Sequence, residues 1–244
     1  MRSSELPDSG AGTAPVLHRF ADRPGLVAAV ADMVASRIAA AVAARGVCSL
    51  VLSGGTTPAD LYTALAEVDL PWDRVVLTLS DERWVDPADP ASNEGMVKRT
   101  LLRARASRAR LVGLKSRGES PADGLAETAV KLAAIPRPFD LVLLGMGEDA
   151  HTASLFPGGD GLAAALDPPN GECVRGVVPA AGGAARITLT RPALLDAREI
   201  ALVITGEGKA RVLGEAMQPG PVDEKPVRAV LHQSAVPVSV WWAP

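Results

Sequence analysis

The stretch "GMGEDAHTASLFPG" at residues 145–158 sets His151, one of only three histidines in the chain, directly behind two acids, Glu148 and Asp149. A neutral imidazole oriented by a carboxylate is a competent base near neutral pH. His151 is therefore the candidate catalytic group, with Asp149 or Glu148 as the acid that fixes its tautomer. His18 and His232 suggest no role. Other stretches carry groups suited to an anion. In "SGGTTP" (53–58) two glycines allow close backbone approach, Pro58 suits a first helical turn and Thr57 suits its N-cap. Exposed amides at a helix start attract phosphate, so Gly54, Gly55 and Thr56 form the candidate cradle, although an ordinary capped turn would read the same way. "SDERW" (80–84) supplies Arg83, whose planar fork fits phosphate or carboxylate, with Asp81 and Glu82 placed to orient it.

"TGEGKA" (205–210) offers Lys209 from the first turn of a helix. It is not a nucleoside-triphosphate loop, because Val203 replaces the leading glycine and Ala210 the metal-binding hydroxyl. "GMGEDA" fits the dinucleotide pattern G-x-G-x-x-A, but the acid about twenty residues on, Asp167, does not end a second strand. Asn93, at a helix start, is either a cap or, with Arg191, a contact for a substrate hydroxyl or oxyanion.

The elements that must position these groups alternate. Apolar runs at 48–52, 75–79, 140–145, 199–204 and 236–242 read as buried strands, with weaker candidates at 186–190 and 227–231. Helical spacing recurs at 24–45, 58–67, 93–104, 121–134 and 207–217. Near-continuous apolar strands with helical crossovers predict an α/β fold, a mostly parallel sheet with helices on both faces. Four strands run directly into the polar loops "SGGTTP", "SDERW", "GMGEDAH" and "TGEGKA". In an open parallel sheet such loops converge on one crevice. The longest irregular segment, 167–185, reads as a surface loop or lid. Residues 1–15, rich in Ser, Gly and Pro, read as a flexible tail without the apolar core of a signal peptide, and 16–244 as a single domain.

Composition narrows the partners. The 244 residues are 48% hydrophobic and 22% charged, which supports a packed core. Aromatic residues make up 3% and the formal net charge is -3, with no basic run beside an aromatic platform, which argues against nucleic acid. Asp32 and Arg37 interrupt the Ala-rich stretch at 26–45 and favour an amphipathic surface helix over a membrane span. Cys48 and Cys173 lack zinc-ligand spacing and read as reduced thiols of a cytoplasmic protein. The sequence sets no oligomeric state.

In order along the chain, "LSGGTTP", "SDERWV", "SNEGMV", "DLVLLGMGEDAHTASLFPG", "RITLT" and "TGEGKA" resemble the 6-phosphogluconolactonase family. The resemblance implies a Rossmann-like fold shared with glucosamine-6-phosphate deaminases and isomerases. It also implies hydrolysis of 6-phospho-D-glucono-1,5-lactone to 6-phospho-D-gluconate, the second step of the oxidative pentose phosphate pathway, with no cofactor and no required metal. Two departures stand out: Ala150 where the family has Gly, and a C-terminal "VSVWWAP" without the Asp that commonly follows the last strand. The deaminase relatives carry a proton-transferring Glu just before a proline, where this chain has Phe156, and an apolar ring cannot shuttle protons. A non-catalytic sugar-phosphate sensor is a further alternative, but it would need neither His151 nor its acids.

Overall fold

The computed structural model describes residues 14–244, so residues 1–13 of the expected tail lie outside the described part. A seven-stranded sheet carries the chain. It comprises β1 (Val16–Arg19), β2 (Cys48–Leu52), β3 (Val75–Leu79), β5 (Arg110–Val112), β6 (Leu141–Leu144), β9 (Ile200–Thr205) and β10 (Val238–Ala243), in the spatial order β1-β10-β9-β6-β2-β3-β5. Every pairing in it is parallel. A smaller antiparallel sheet joins β4 (Asp81–Arg83), β8 (Arg186–Leu189) and β7 (Val174–Val177) in the order β4-β8-β7. Ser80 alone separates β3 from β4, and its backbone still bonds Leu52 on one side and Leu189 on the other. The chain thus passes from the large sheet into the small one at the edge of the future site.

The helices are α1 (Arg23–Arg45), α2 (Thr56–Leu65), α3 (Asn93–Thr100), α4 (Pro121–Ala133), α5 (Leu162–Leu166), α6 (Arg191–Leu195), α7 (Glu207–Ala216) and α8 (Arg228–Leu231). From β1 through α1, α2 and α3 to β5 the connections run toward one edge of the sheet. From β5 through α4 to β6, and on through α7 to β10, they run back. Right-handed crossovers therefore put α1, α2 and α3 on one face and α4 and α7 on the other. The direction reverses between β2 and β6, which are neighbours, and a crevice opens at such a switch point. Covered on both faces, β2, β3 and β6 are buried at every residue, which is why they read as unbroken apolar runs.

Helix α1 shows how sequence becomes packing. Asp22 caps its start by accepting from the Gly25 amide at 2.8 Å, and Gly46, at φ 74°, ends it. By length and hydropathy it could cross a membrane, but Leu26, Val30, Val34, Ile38 and Ala41 form a buried stripe against the sheet and α2. Arg37 on its outer side pairs with Glu199 at 2.5 Å. Nearby, Asp140 joins Arg45 and Arg198 and accepts from the Ser49 amide, tying α1 to the amino ends of β2 and β6. Cys48 lies fully buried in this layer, and burial together with Asp140 pushes its thiol up to about 12. Cys173 is a free, partly buried thiol.

Four sequence expectations need correction. Residues 227–231 form α8, not a strand: Arg228 to Leu231 are all buried, and a short run buried all round has no period to separate strand from helix. "SDERW" is not a loop, because Asp81–Arg83 pairs with β8. The irregular segment 167–185 contains β7, whose partner is β8. Thr57 does not cap α2; the helix begins at Thr56 behind Gly55, and the Thr57 hydroxyl meets that of Thr205 at 3.0 Å.

Candidate active site

The carboxyl ends of β2, β3, β6 and β9 meet around a crevice of about 240 Å³. All four polar segments reach it. Gly54 and Gly55 come from the loop after β2, Thr56 from the start of α2, Asp81 and Arg83 from β4, and Asn93 from α3. The turn after β6 brings His151, and α7 brings Lys209.

One end of the crevice is built for an anion. Helices α2 and α7 both start at a glycine with positive φ, Gly55 at 111° and Gly206 at 95°, and among the described residues no side chain caps either start. Their first-turn amides therefore face the crevice mouth unclaimed, with the positive ends of both helix dipoles behind them. Tyr62, fully buried on α2, donates to the Ser53 carbonyl at 2.8 Å and pins the loop that carries Gly54 and Gly55. Helix α3 makes the contrast. Its amides are already used: Asn93 N and Glu94 N donate to Glu82, and Gly95 N to the Ser92 hydroxyl.

Glu82 thus has a different task from the one its sequence position suggests. It does not orient the Arg83 guanidinium. Its buried carboxylate accepts from the amides of Arg83, Asn93 and Glu94 and from the Ser92 hydroxyl. Burial pushes its carboxyl above the ordinary range against the pull of those donors. The Arg83 guanidinium is held by Asn93 Oδ1 at 2.9 Å and the Ala91 carbonyl at 2.7 Å. Asn93 in turn donates to the Asp81 carbonyl, and the cap of α3 is Ser92. The Asp81 carboxylate, buried at the crevice floor, accepts from Ser80 at 2.9 Å and Ser154 at 2.5 Å.

His151 stands across from the anion end. Its Nδ1 lies 2.5 Å from Asp149 Oδ1, the same oxygen that accepts from the His151 amide at 3.1 Å. Burial pushes the Asp149 carboxyl up, but the hydrogen bond and charge of His151 outweigh it and hold the group below its ordinary value. With Nδ1 engaged, Nε2 is the nitrogen left for chemistry. The turn is strained on both sides of the imidazole: Ala150 at φ 64° and Ala153 at φ 48° occupy the left-handed region. The Val227 amide holds the Ala150 carbonyl at 3.0 Å.

Two expected residues lie elsewhere. Glu148 does not line the crevice; its carboxylate lies against Gly208 at the start of α7. Arg191 begins α6 and is not part of the lining either. Arg186 was not anticipated. It faces Arg83 across the β4–β8 pair, and its Nε, like that of Arg83, is buried without a partner among the described residues. Burial and the neighbouring Arg83 charge both lower its pKa. Such orphaned donors on adjacent cations fit an anion. Only the strand pairing reveals this, because no local pattern in "RITLT" points across the sheet to Arg83.

The sequence matches, over residues 21–242, the family described as glucosamine-6-phosphate isomerases/6-phosphogluconolactonase. It is 44% identical over 225 residues to a 6-phosphogluconolactonase of Mesorhizobium japonicum, covering 92% of this chain and 94% of that one. It is 41% identical over 228 residues to that of Rhizobium meliloti, covering 93% and 98%. The crystal structure of a 6-phosphogluconolactonase from Shewanella baltica superposes with a TM-score of 0.92 at 40% identity over 96% of this chain and all of that one. A monomeric glucosamine-6-phosphate deaminase shares the fold at a TM-score of 0.76, with 16% identity over 92% of this chain and 96% of that one.

Proposed function

Because the chain belongs to the glucosamine-6-phosphate isomerase/6-phosphogluconolactonase family, and is 44% and 41% identical to two 6-phosphogluconolactonases, we propose that its crevice hydrolyses 6-phospho-D-glucono-1,5-lactone to 6-phospho-D-gluconate with His151 as general base. The observation that carries the base assignment is the 2.5 Å His151–Asp149 pair facing two uncapped helix starts across one crevice.

The phosphate lies at the α2 and α7 starts, against Gly54, Gly55 and Thr56, with Arg83 and Lys209 neutralising its charge and Arg186, beside Arg83 but outside the crevice lining, adding to the positive field. This anchors the sugar with its ester carbonyl toward His151. Neutral Nε2 takes a proton from water as the water oxygen attacks the carbonyl carbon. Asp149 accepts from Nδ1–H, fixes that tautomer and offsets the charge of the imidazolium formed. When the tetrahedral intermediate collapses, the bond to the ring oxygen breaks and the imidazolium returns its proton to that oxygen, leaving the open-chain carboxylic acid, which gives its proton to solvent and becomes the carboxylate. Asn93 and Asp81, which line the crevice, meet the sugar hydroxyls in this reading. A cytoplasmic setting belongs to this reading, since both cysteines are free thiols.

Ring opening and aldose-ketose interconversion need a second proton carrier near the sugar, and the group packed on His151 is the Phe156 ring. Lactone generated in situ by oxidation of glucose 6-phosphate, with spontaneous opening subtracted, tests the assignment. His151→Ala should lower kcat by about 10²- to 10⁴-fold. A folded His151→Ala protein of undiminished rate would remove His151 from the mechanism.

A further inference from the structure

The mechanism above gives Phe156 no task, yet the ring touches the base. Its centroid is 4.4 Å from that of the His151 imidazole, at an interplanar angle of 40°. Its backbone is fixed on both sides: Ser154 bonds Asp81, Leu155 is fully buried, and the Phe156 carbonyl accepts from Gly159 at 3.0 Å. Beyond the ring stands Arg186, its guanidinium carbon 5.9 Å from the ring centroid. The aromatic ring is thus a common neighbour of the base and of Arg186.

Resting on the reading that His151 is the base, we propose that Phe156 is its positioning residue. The ring holds the imidazole in the orientation that meets Asp149 and leaves Nε2 directed at the water.

The imidazole is gripped between two groups of its own turn, the Asp149 carboxylate at 2.5 Å from Nδ1 and the Phe156 ring against its face. The ring blocks rotation away from Asp149, and misplacement of a catalytic group by about 1 Å is costly to turnover.

The test compares Phe156→Ala, Phe156→Leu and Phe156→Tyr with the unaltered protein and with His151→Ala, reading kcat and KM. Phe156→Ala should lower kcat by about tenfold or more with KM changed less than about twofold. Phe156→Tyr, which keeps the flat ring, should restore kcat. Phe156→Leu should lower kcat with KM kept, because it fills the space but loses the flat contact; it decides the matter if the alanine variant does not fold. Unchanged kcat in Phe156→Ala, or a rise in KM alone, would overturn the positioning role and leave His151 as base. Full activity in His151→Ala would overturn both.

Discussion

Gly54 and Asn93 fit together with no room for a methyl group: a Cβ on Gly54 would stand 2.1 Å from Asn93 Oδ1. That oxygen also accepts from Arg83. Gly54→Ala should therefore push Asn93 aside and release the guanidinium. A charged hydrogen bond is worth about 1.5–3 kcal/mol, so KM for the phosphorylated lactone should rise by about ten- to a hundredfold, with kcat changed less. Initial rates across substrate concentration check this, and an unchanged KM would detach Arg83 from phosphate binding.

Gly147 bears the same relation to the base. A Cβ there would lie 2.2 Å from His151 Nδ1 and 2.5 Å from Asp149 Oδ1. Gly147→Ala should separate the pair and lower kcat by about 10²-fold or more, as Asp149→Asn should by leaving the tautomer unfixed. Gly214 is the opposite case, exposed within α7 with nothing within 4 Å of an added Cβ. Gly214→Ala should leave turnover unchanged and stabilise the fold by about 0.5–1 kcal/mol, a rise of a few degrees in a thermal melt.

Two carboxylates should show opposite pH signatures. Asp149 lies below its ordinary value in the folded chain, so its contribution to stability is present above the unfolded carboxylate range and is lost as pH falls through the folded value. Glu82 lies above its ordinary value, so its contribution is greatest below the unfolded value and is lost as pH rises through the folded one. Melting temperatures should show the deficit of Asp149→Asn shrinking toward acid pH. Glu82→Gln should lose about 1–3 kcal/mol at neutral pH, because its amide group turns a donor toward donors. A deficit of Asp149→Asn that is constant with pH would contradict the first assignment.

Ala150 carries a small strain. A side chain in the left-handed region costs about 1–2 kcal/mol, while the fully buried methyl returns about 0.8 kcal/mol. Ala150→Gly gives up the methyl and gains unfolded-chain freedom as it relieves the strain. Its stability should stay within about 1 kcal/mol of the parent, with turnover kept. Ala150→Val, β-branched at positive φ, should lose both, as denaturant melts and kcat would report.

Much of this was legible in the sequence, for a reason visible in particular residues. Strands buried on both faces, such as "VVLTL" and "CSLVL", leave unbroken apolar runs, and the loops after them carry the polar groups, so the crevice follows from order along the chain. Pairings across the chain left no such mark. Arg186 meets Arg83 only through β8, Ser154 meets Asp81 across seventy-three positions, and Glu82 reads as a partner for the Arg83 side chain until α3 folds onto it. The roles of Glu148 and Asp149 were undecided for the same reason: both precede His151, and only the backbone turn decides which carboxylate bends back. Arg191 lies outside the crevice lining, and a cation beginning a helix gives no sign in the sequence of which way that helix faces.

The charged knot of Arg45, Asp140 and Arg198 sits at the amino end of β6, and His151 follows its carboxyl end. At about 3.3 Å per residue, four residues of fully buried strand set the knot more than about 13 Å below the crevice. The underside of the sheet is thus a place to hold the molecule. A support, a fusion partner or a crosslink fastened beside Arg37 and Arg198 would leave the mouth of the crevice open, and the protein could be mounted there without taxing its turnover.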